Sequence, residues 1–291
     1  MAVTGGTGFV GRHAVRALAG AGHEVVAISR RARPAHLPEH VTFVRADITK
    51  DNGLAGAFAG CDAVIHLVAV ILEHGKTTFD AVIRVGTERV ATAARDAGVA
   101  HLIYQSANGA DPNPAFPYLL SKWAGEEAVI GSGVPYTVLR PSLIFGDGDG
   151  FFTLLARLIK LTPVTVVAGD GSALFQPISI DDVTRCMVLA VERGPSGRVH
   201  PIGGPEHLSY DDIVRIIKQT LGLHRYTVHL PVQALKPPAF VMQTLLSRPP
   251  VTLDQLQMLK LNNIMRLDSV RDAFGFDPVA FEYNADYLQD Y

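Results

Sequence analysis

Cysteine is scarce in this chain of 291 residues: Cys61 and Cys186 are the only two. A disulfide scaffold or a cysteine-based zinc framework needs more, so the pair reads as buried small apolar side chains in a reduced, cytoplasmic setting. Charge of one sign is equally lacking. Lys and Arg number 26 against 28 Asp and Glu, a formal net charge of −2, which excludes the strongly basic footprint of a nucleic-acid binder. No apolar run escapes interruption by Lys, Pro, Gln or Thr for the length of a membrane span. The opening "MAVTGG" carries no charged segment followed by an apolar stretch, so no signal peptide is read there. Repeats and low-complexity tracts are missing too. What is present is 48% hydrophobic and 19% charged, a composition that buries a core.

The first half of the chain alternates. Strand-like runs at Ala2–Thr4, Glu24–Ile28, Val41–Arg45, Ala63–His66, Leu102–Gln105 and Tyr136–Leu139 are separated by helical patterns at Val10–Ala21, Leu54–Ala59, Thr78–Ala97 and Tyr118–Ile130. Nearly continuous Val/Ile/Leu strands between helices predict a doubly wound α/β fold, a parallel sheet of the Rossmann kind covered on both faces. After Pro141 the pattern changes. The loop "GDGDG" precedes an apolar helix, and Ser179/Asp182, Ser209/Asp212 and Thr252/Gln255 each fit the spacing of a helix cap. This predicts a dinucleotide-binding domain over residues 1–145, with 176–194 returning to it. A smaller, mainly helical C-terminal lobe over 146–291 would lie at the carboxyl ends of the strands and take substrate or partner.

Glycine is concentrated where the first strand ends. "VTGGTGFVG" holds Gly5, Gly6, Gly8 and Gly11 in the spacings G-x-x-G and G-x-G-x-x-G. In a dinucleotide site such glycines permit a tight turn, let the backbone touch a pyrophosphate, and let the helix pack closely on the sheet. The helix that follows aims its free N–H groups at the phosphates. An ordinary glycine-rich turn is the alternative, and the strand–turn–helix context argues against it. The second strand runs into "AISRRARP", with Ser29, Arg30, Arg31 and Arg33 and no acid to accept from a ribose 2′-hydroxyl. Guanidinium groups suit a 2′-phosphate. NADP(H) is therefore favoured over NAD(H), the competing interpretation being a solvated basic loop.

A second constellation follows. "YLLSK" sets Tyr118 and Lys122 at i,i+4 on one helix face, and "LIYQSA" leaves Ser106 at a strand end. A phenol ordinarily titrates near pH 10, and a neighbouring ammonium lowers that value. The expectation is that Lys122 makes Tyr118 a usable acid/base. A surface Tyr/Lys pair with Ser106 capping a turn is the structural alternative.

Together "TGGTGFVG", Ser106, "YLLSK" and "LRPSLIFG" resemble the extended, partly atypical branch of the short-chain dehydrogenase/reductase superfamily, of the NAD-dependent epimerase/dehydratase kind. "FQPISIDDV" and "PPVTLDQLQMLKLNN" resemble the group around the nucleotide-binding accessory subunit of respiratory complex I and its bacterial relatives. The resemblance spans essentially the whole chain. It implies a Ser106–Tyr118–Lys122 proton-transfer set, with Tyr118 as acid/base, Lys122 on the nicotinamide ribose and Ser106 orienting the substrate oxygen. Arg140, Pro141 and Ser142 would close the site. The implied cofactor-binding set is Gly5, Gly6, Thr7, Gly8, Phe9, Val10, Gly11, Ser29, Arg30, Arg31, Asp47, Ile48, Leu67, Val68, Ala69, Tyr118, Lys122 and Pro141, with Asp47 at the adenine edge.

Three departures qualify it. The serine is not followed by Val-Tyr-Gly, the polar stretch after the fourth strand is "HLVAV" with His66 and Leu67, and Ile83 stands where an asparagine of the proton relay is usual. They argue against a nucleotide-sugar epimerase. Two functions stay open: an NADP(H)-dependent oxidoreductase of a small apolar carbonyl or alcohol, and a nucleotide-binding structural or sensor protein without turnover. His36 and His40 flank Glu39, but Pro38 breaks any helix that would align them on a metal, so no metal site is read. "AFVMQTLLS" (239–247), after Pro237–Pro238, is apolar on most faces. It packs the small lobe, or it covers a quinone- or isoprenoid-like substrate or touches a membrane or protein partner.

Overall fold

A computed structural model of the chain describes residues 1–35, 37–50, 53–113, 115–245 and 253–291. His36, Thr252 and residues 246 and 247, each of which enters an expectation above, lie outside them. The chain divides into two compact units. The first comprises Met1–Pro141 and Ile180–Ile202, the second Ser142–Ser179 and Gly203–Tyr291.

The first unit opens with β1 (Ala2–Thr4), α1 (Phe9–Gly20), β2 (Val26–Ser29), β3 (Thr42–Arg45), α2 (Leu54–Phe58) and β4 (Ala63–His66). A π-helical turn, Asp80–Arg84, then runs into α3 (Val85–Asp96), followed by β5 (His101–Gln105), α4 (Pro117–Ile130) and β6 (Tyr136–Pro141). In the second unit come β7 (Ile144–Phe145), α5 (Phe152–Leu161), β8 (Val164–Ala168), β9 (Leu174–Phe175) and β10 (Ile178–Ser179). The chain returns to the first unit with α6 (Ile180–Arg193) and β11 (Val199–Ile202). It ends in the second with β12 (Leu208–Ser209), α7 (Tyr210–Thr220), β13 (Tyr226–Leu230), α8 (Val232–Leu245), α9 (Leu253–Met258), α10 (Ser269–Phe274) and a 3-10 turn, Asp286–Asp290.

Seven strands of the first unit form one parallel sheet in the order β11-β6-β5-β4-β1-β2-β3. This is the doubly wound Rossmann arrangement, with the order reversing on either side of β1. β1 pairs with both β2 and β4, Val3 lying opposite Ala27 and Ile65. A strand flanked on both edges and covered on both faces is mostly apolar, and the one polar side chain of β1, Thr4, is hydrogen-bonded to His66. Ala2 and Val3 are fully buried, as are Val64 and Ile65 of β4. Phe58, Leu102, Tyr104 and Val138 continue the core beneath α3 and α4.

In the second unit, Phe145, Phe152 and Phe281 pack at ring separations of 4.6–6.2 Å, with Ile213 and Ile217 of α7 in the same core. Ser209 and Asp212 form the expected capping box on α7, the Ser209 hydroxyl accepting from the Asp212 N–H at 3.0 Å. Asp149, in the "GDGDG" loop, accepts from the N–H groups of Phe152 and Thr153 at the start of α5 and from the Tyr287 hydroxyl. Besides its helices this unit carries, among its described residues, three two-stranded sheets, β7–β10, β9–β12 and β8–β13. Helix α8 also departs from the sequence expectation, because it runs through Pro237 and Pro238 rather than starting after them. Proline's fixed φ is itself helical, but in a helix interior it removes an N–H donor and its ring crowds the carbonyl four residues back. No described helix is long and apolar enough to cross a membrane.

Candidate functional site

The glycine turn is built by backbone contact. The N–H groups of Gly5 and Gly6 both donate to the Ile28 carbonyl of β2, and Gly8 N–H donates back to Gly5 O at 2.9 Å. Gly5 has φ +77°, a conformation glycine adopts without penalty. At Gly11 a Cβ would lie 2.0 Å from Gly5 O and 2.7 Å from the Gly6 Cα, so only glycine lets α1 sit this close to the turn. At Gly8 a Cβ would meet nothing closer than Gly5 O at 3.3 Å, and the backbone there is extended (φ −77°, ψ −179°). The protein itself therefore does not require glycine at position 8; a group lying against it would. Gly8 caps α1 without any side-chain hydrogen bond, and the first turn holds no acid. The leading N–H groups of Phe9, Val10 and Gly11 have no carbonyl within the helix to serve, and the positive dipole end is unneutralised. An anion fits this cradle.

Around the cradle, Thr7 Oγ1 donates to Ser29 Oγ at 2.9 Å, tying the turn to the end of β2, and Arg31 N–H reaches the same hydroxyl at 3.2 Å. Arg30 and Arg31 are exposed. Arg33 is engaged, donating to the Val41 and Pro38 carbonyls at 2.9 Å each. Val68 packs on Gly5, Leu67 N–H donates to the Thr4 carbonyl, and Ala69 is exposed. Asp47 accepts from the Thr49 N–H and hydroxyl at 3.0 and 2.7 Å. Ile48 is buried against Gly86 of α3. Pro141 is buried at the end of β6, whereas Ser142 falls in the second unit and donates to Asn263 Oδ1 at 3.1 Å.

Ser106 follows β5 directly. Its N–H donates to the Leu139 carbonyl of β6 at 2.8 Å and its side chain is 2% exposed, yet its Oγ has no hydrogen-bond partner. Buried hydroxyls are seldom left so. Tyr118 and Lys122 stand one turn apart on α4. The Tyr118 ring is half-buried edge-on to Phe79, 5.7 Å between centroids. Lys122 is buried, its Nζ donating to the Gln105 carbonyl at 2.8 Å and lying 5.2 Å from the centre of the Tyr104 ring. Burial pushes the Tyr118 phenol up, to about 12, instead of the lowering expected from its lysine. Loss of hydration is the cause, and the hydrogen bond of Lys122 goes to the Gln105 carbonyl instead of the phenol. The phenol is thus held in its protonated form. Burial pulls Lys122 down to about 7, against the opposing pull of Glu126.

Under these residues runs a polar seam that sequence inspection overlooked. His66, fully buried at the end of β4, is hydrogen-bonded through Nδ1 to Thr4 Oγ1 (2.6 Å) and through Nε2 to Thr87 Oγ1 (3.0 Å), and it stacks on Tyr104 at 5.5 Å. Burial and, next, Lys122 hold the imidazole neutral, down to about 3. Glu126, 2% exposed, takes a two-point grip from Arg140 of β6 at 2.7 and 2.5 Å, pinning α4 to the sheet. The signal for Glu126 was legible, since Tyr118, Lys122 and Glu126 are spaced at i, i+4 and i+8. Ile83 is fully buried in the π-helical turn and offers no polar group. The second unit holds a cavity of about 630 Å³ beside Gly169–Ala173, His229 and Lys260. None of the expected catalytic or cofactor-binding residues lines it, whereas Leu259, Lys260 and Asn262 of the "PPVTLDQLQMLKLNN" stretch do.

The NAD dependent epimerase/dehydratase family profile matches residues 1–203. NADH dehydrogenase [ubiquinone] 1 alpha subcomplex subunit 9, mitochondrial, of Arabidopsis thaliana is 26% identical over 91% of this chain and 68% of its own length. The 2-alkyl-3-oxoalkanoate reductase of Stenotrophomonas maltophilia is 26% identical over 95% of this chain and 94% of its own. Among solved structures, gox2253 superposes with a TM-score of 0.79 at 25% identity, covering 99% of this chain and 96% of that one.

Proposed function

The chain belongs to the NAD dependent epimerase/dehydratase family of nicotinamide-dinucleotide oxidoreductases, and from that premise we propose that it is an NADP(H)-dependent reductase of a small, apolar carbonyl compound. The observation that carries this reading is the Ser106 hydroxyl, buried and unpartnered, beside the strand end whose carbonyl holds Lys122. A donor so placed suits a substrate oxygen. Tyr118, protonated at neutral pH, is the acid that delivers a proton to that oxygen as it gains negative charge. Bound at the glycine turn, the dinucleotide supplies the hydride. Gly5, Gly6, Thr7, Gly8 and the first N–H groups of α1 would hold its diphosphate, with Ser29, Arg30 and Arg31 at a 2′-phosphate, Asp47 at the adenine and Lys122 at the nicotinamide ribose. Two free, buried cysteines suit a reducing cytoplasmic setting.

An apolar substrate is supported by the likeness to the 2-alkyl-3-oxoalkanoate reductase. Tyr118→Phe is expected to bind NADPH as the parent does while hydride transfer falls by at least about 100-fold. Arg30→Ala/Arg31→Ala is expected to weaken NADPH but not NADH, measured by parallel fluorescence titrations. Equal affinities for both coenzymes in parent and variant would end the NADP(H) assignment. Ile83, in place of a relay asparagine, favours a second reading: a nucleotide-binding protein without turnover, with which the likeness to a subunit of an NADH dehydrogenase accords. That reading gains if NADPH stabilises the protein and a broad panel of apolar ketones leaves it unoxidised.

A further inference from the structure

Lys122 is 2% exposed, on a helix whose next turn carries Glu126, also 2% exposed. Residues four apart on a helix are neighbours, their Cβ atoms about 5–6 Å apart. Glu126 does not touch the expected reaction centre, and its two oxygens are already bound by Arg140. An ion pair with its carboxylate buried at this place needs a reason, because two hydrophobic residues of similar volume would hold a helix to a sheet at least as well. We propose that Glu126, fixed by Arg140, is a positioning residue for Lys122: its carboxylate keeps the ammonium charged and seated on the Gln105 carbonyl. The inference rests on the site assigned above but reaches beyond it, since neither residue belongs to the Ser106–Tyr118–Lys122 set.

The groups that face Lys122 leave no other candidate among the described residues. From β4 comes His66, neutral and bound to Thr4 and Thr87. From β5 come the Tyr104 ring and the Gln105 carbonyl, the Tyr104 phenol pushed up by burial. Tyr118, on α4, is likewise pushed up and uncharged. Arg140, on β6, carries a positive charge that would repel the ammonium, and Asp111 acts on Arg140. Glu126 alone supplies negative charge on the helix face of Lys122, and its pull opposes the burial that otherwise strips the proton. Arg140 holds the carboxylate by both oxygens, which denies it the rotamers that would carry it away from α4 and β6.

The test is an NMR titration of the intact protein labelled at its seven lysines, the Lys122 signal being assigned by its loss in Lys122→Arg. In Glu126→Gln, which keeps the shape and loses the charge, the Lys122 midpoint is expected to fall by about one pH unit or more, as for loss of any adjacent opposite charge. In Glu126→Gln/Arg140→Gln the midpoint falls by less, because the repelling guanidinium is gone too. Should the single variant fail to fold, the double variant decides, since it removes the Glu126 and Arg140 charges together. A pair that merely braces the helix predicts lower melting temperatures with the midpoint unmoved, and an unmoved midpoint in either folded variant overturns the proposal. The titration needs no substrate and no turnover, so its outcome is independent of whether the reductase reading survives.

Discussion

The two glycines Gly8 and Gly11 are expected to respond to substitution in opposite ways. At Gly8 the backbone is extended and an added Cβ meets one atom, Gly5 O at 3.3 Å. A few tenths of an ångström relieve that contact. Relative to glycine, alanine also narrows the unfolded ensemble, worth about 0.4–1 kcal/mol. Gly8→Ala and Gly8→Leu should therefore melt within about 1 kcal/mol of the parent without nucleotide. At Gly11 the same methyl falls 2.0 Å from a carbonyl oxygen that is itself fixed by Gly8. Helix α1 must then lift from the sheet, an overpacking cost of about 3 kcal/mol or more. The assay is thermal unfolding with and without NADPH. At about a hundredfold excess over its dissociation constant, a ligand adds roughly 2.7 kcal/mol, or roughly 5 °C for a chain of this size. Gly8→Leu should lose that shift while keeping the parent's ligand-free melting point, and Gly11→Ala should melt early under both conditions. If Gly8→Leu still gains the parent's full shift, no diphosphate lies against that stretch of main chain, and the cofactor site is misplaced.

Other expectations concern buried charge. Lys122 titrates near 7 in the folded chain because burial disfavours the ammonium, and near 10.5 unfolded. Between those values the unfolded chain binds the extra proton, so stability contributed by this group rises with pH, by at most about 1.4 kcal/mol per unit. Urea denaturation from pH 7 to 10 should show that rise, and Lys122→Met should flatten it; an equal slope in both would refute the assignment. His66 has the same sign over a lower window: neutral in the fold down to about 3, it makes the protein lose stability as pH falls from 6.5 towards that value. His66→Gln should remove that acid sensitivity in the same assay. Asp149, 4% exposed, holds the start of α5 and the Tyr287 hydroxyl together. Asp149→Ala should cost about 2–4 kcal/mol in the second unit, measured by calorimetry.

Local periodicity determined the alternation of strand and helix through Pro141, because strands covered on both faces are largely apolar, as Ala2 and Val3, then Ala63, Val64 and Ile65, then Val138 and Leu139 are here. The turn glycines and the Tyr118–Lys122 spacing were equally legible, since each depends on contacts within a few residues. Other features required the chain to come together. Strands as short as Ile144–Phe145, Leu174–Phe175 and Leu208–Ser209 owe their existence to distant partners rather than to a pattern of their own. Helix α8 keeps Pro237 and Pro238 inside it, against local propensity.

The electrostatics of the site were decided at the same level. From spacing alone, Lys122 should lower the phenol of Tyr118. In the folded chain burial raises it, because desolvation depends on what other strands and helices cover and not on which residue is four positions away. The seam of Thr4, His66, Thr87 and Tyr104 joins β1, β4, α3 and β5, and the Glu126–Arg140 pair joins α4 to β6. No window of sequence contains both ends of either. Which residues can bear this chemistry is written in the chain itself, whereas their protonation is set by the solvent that packing takes away.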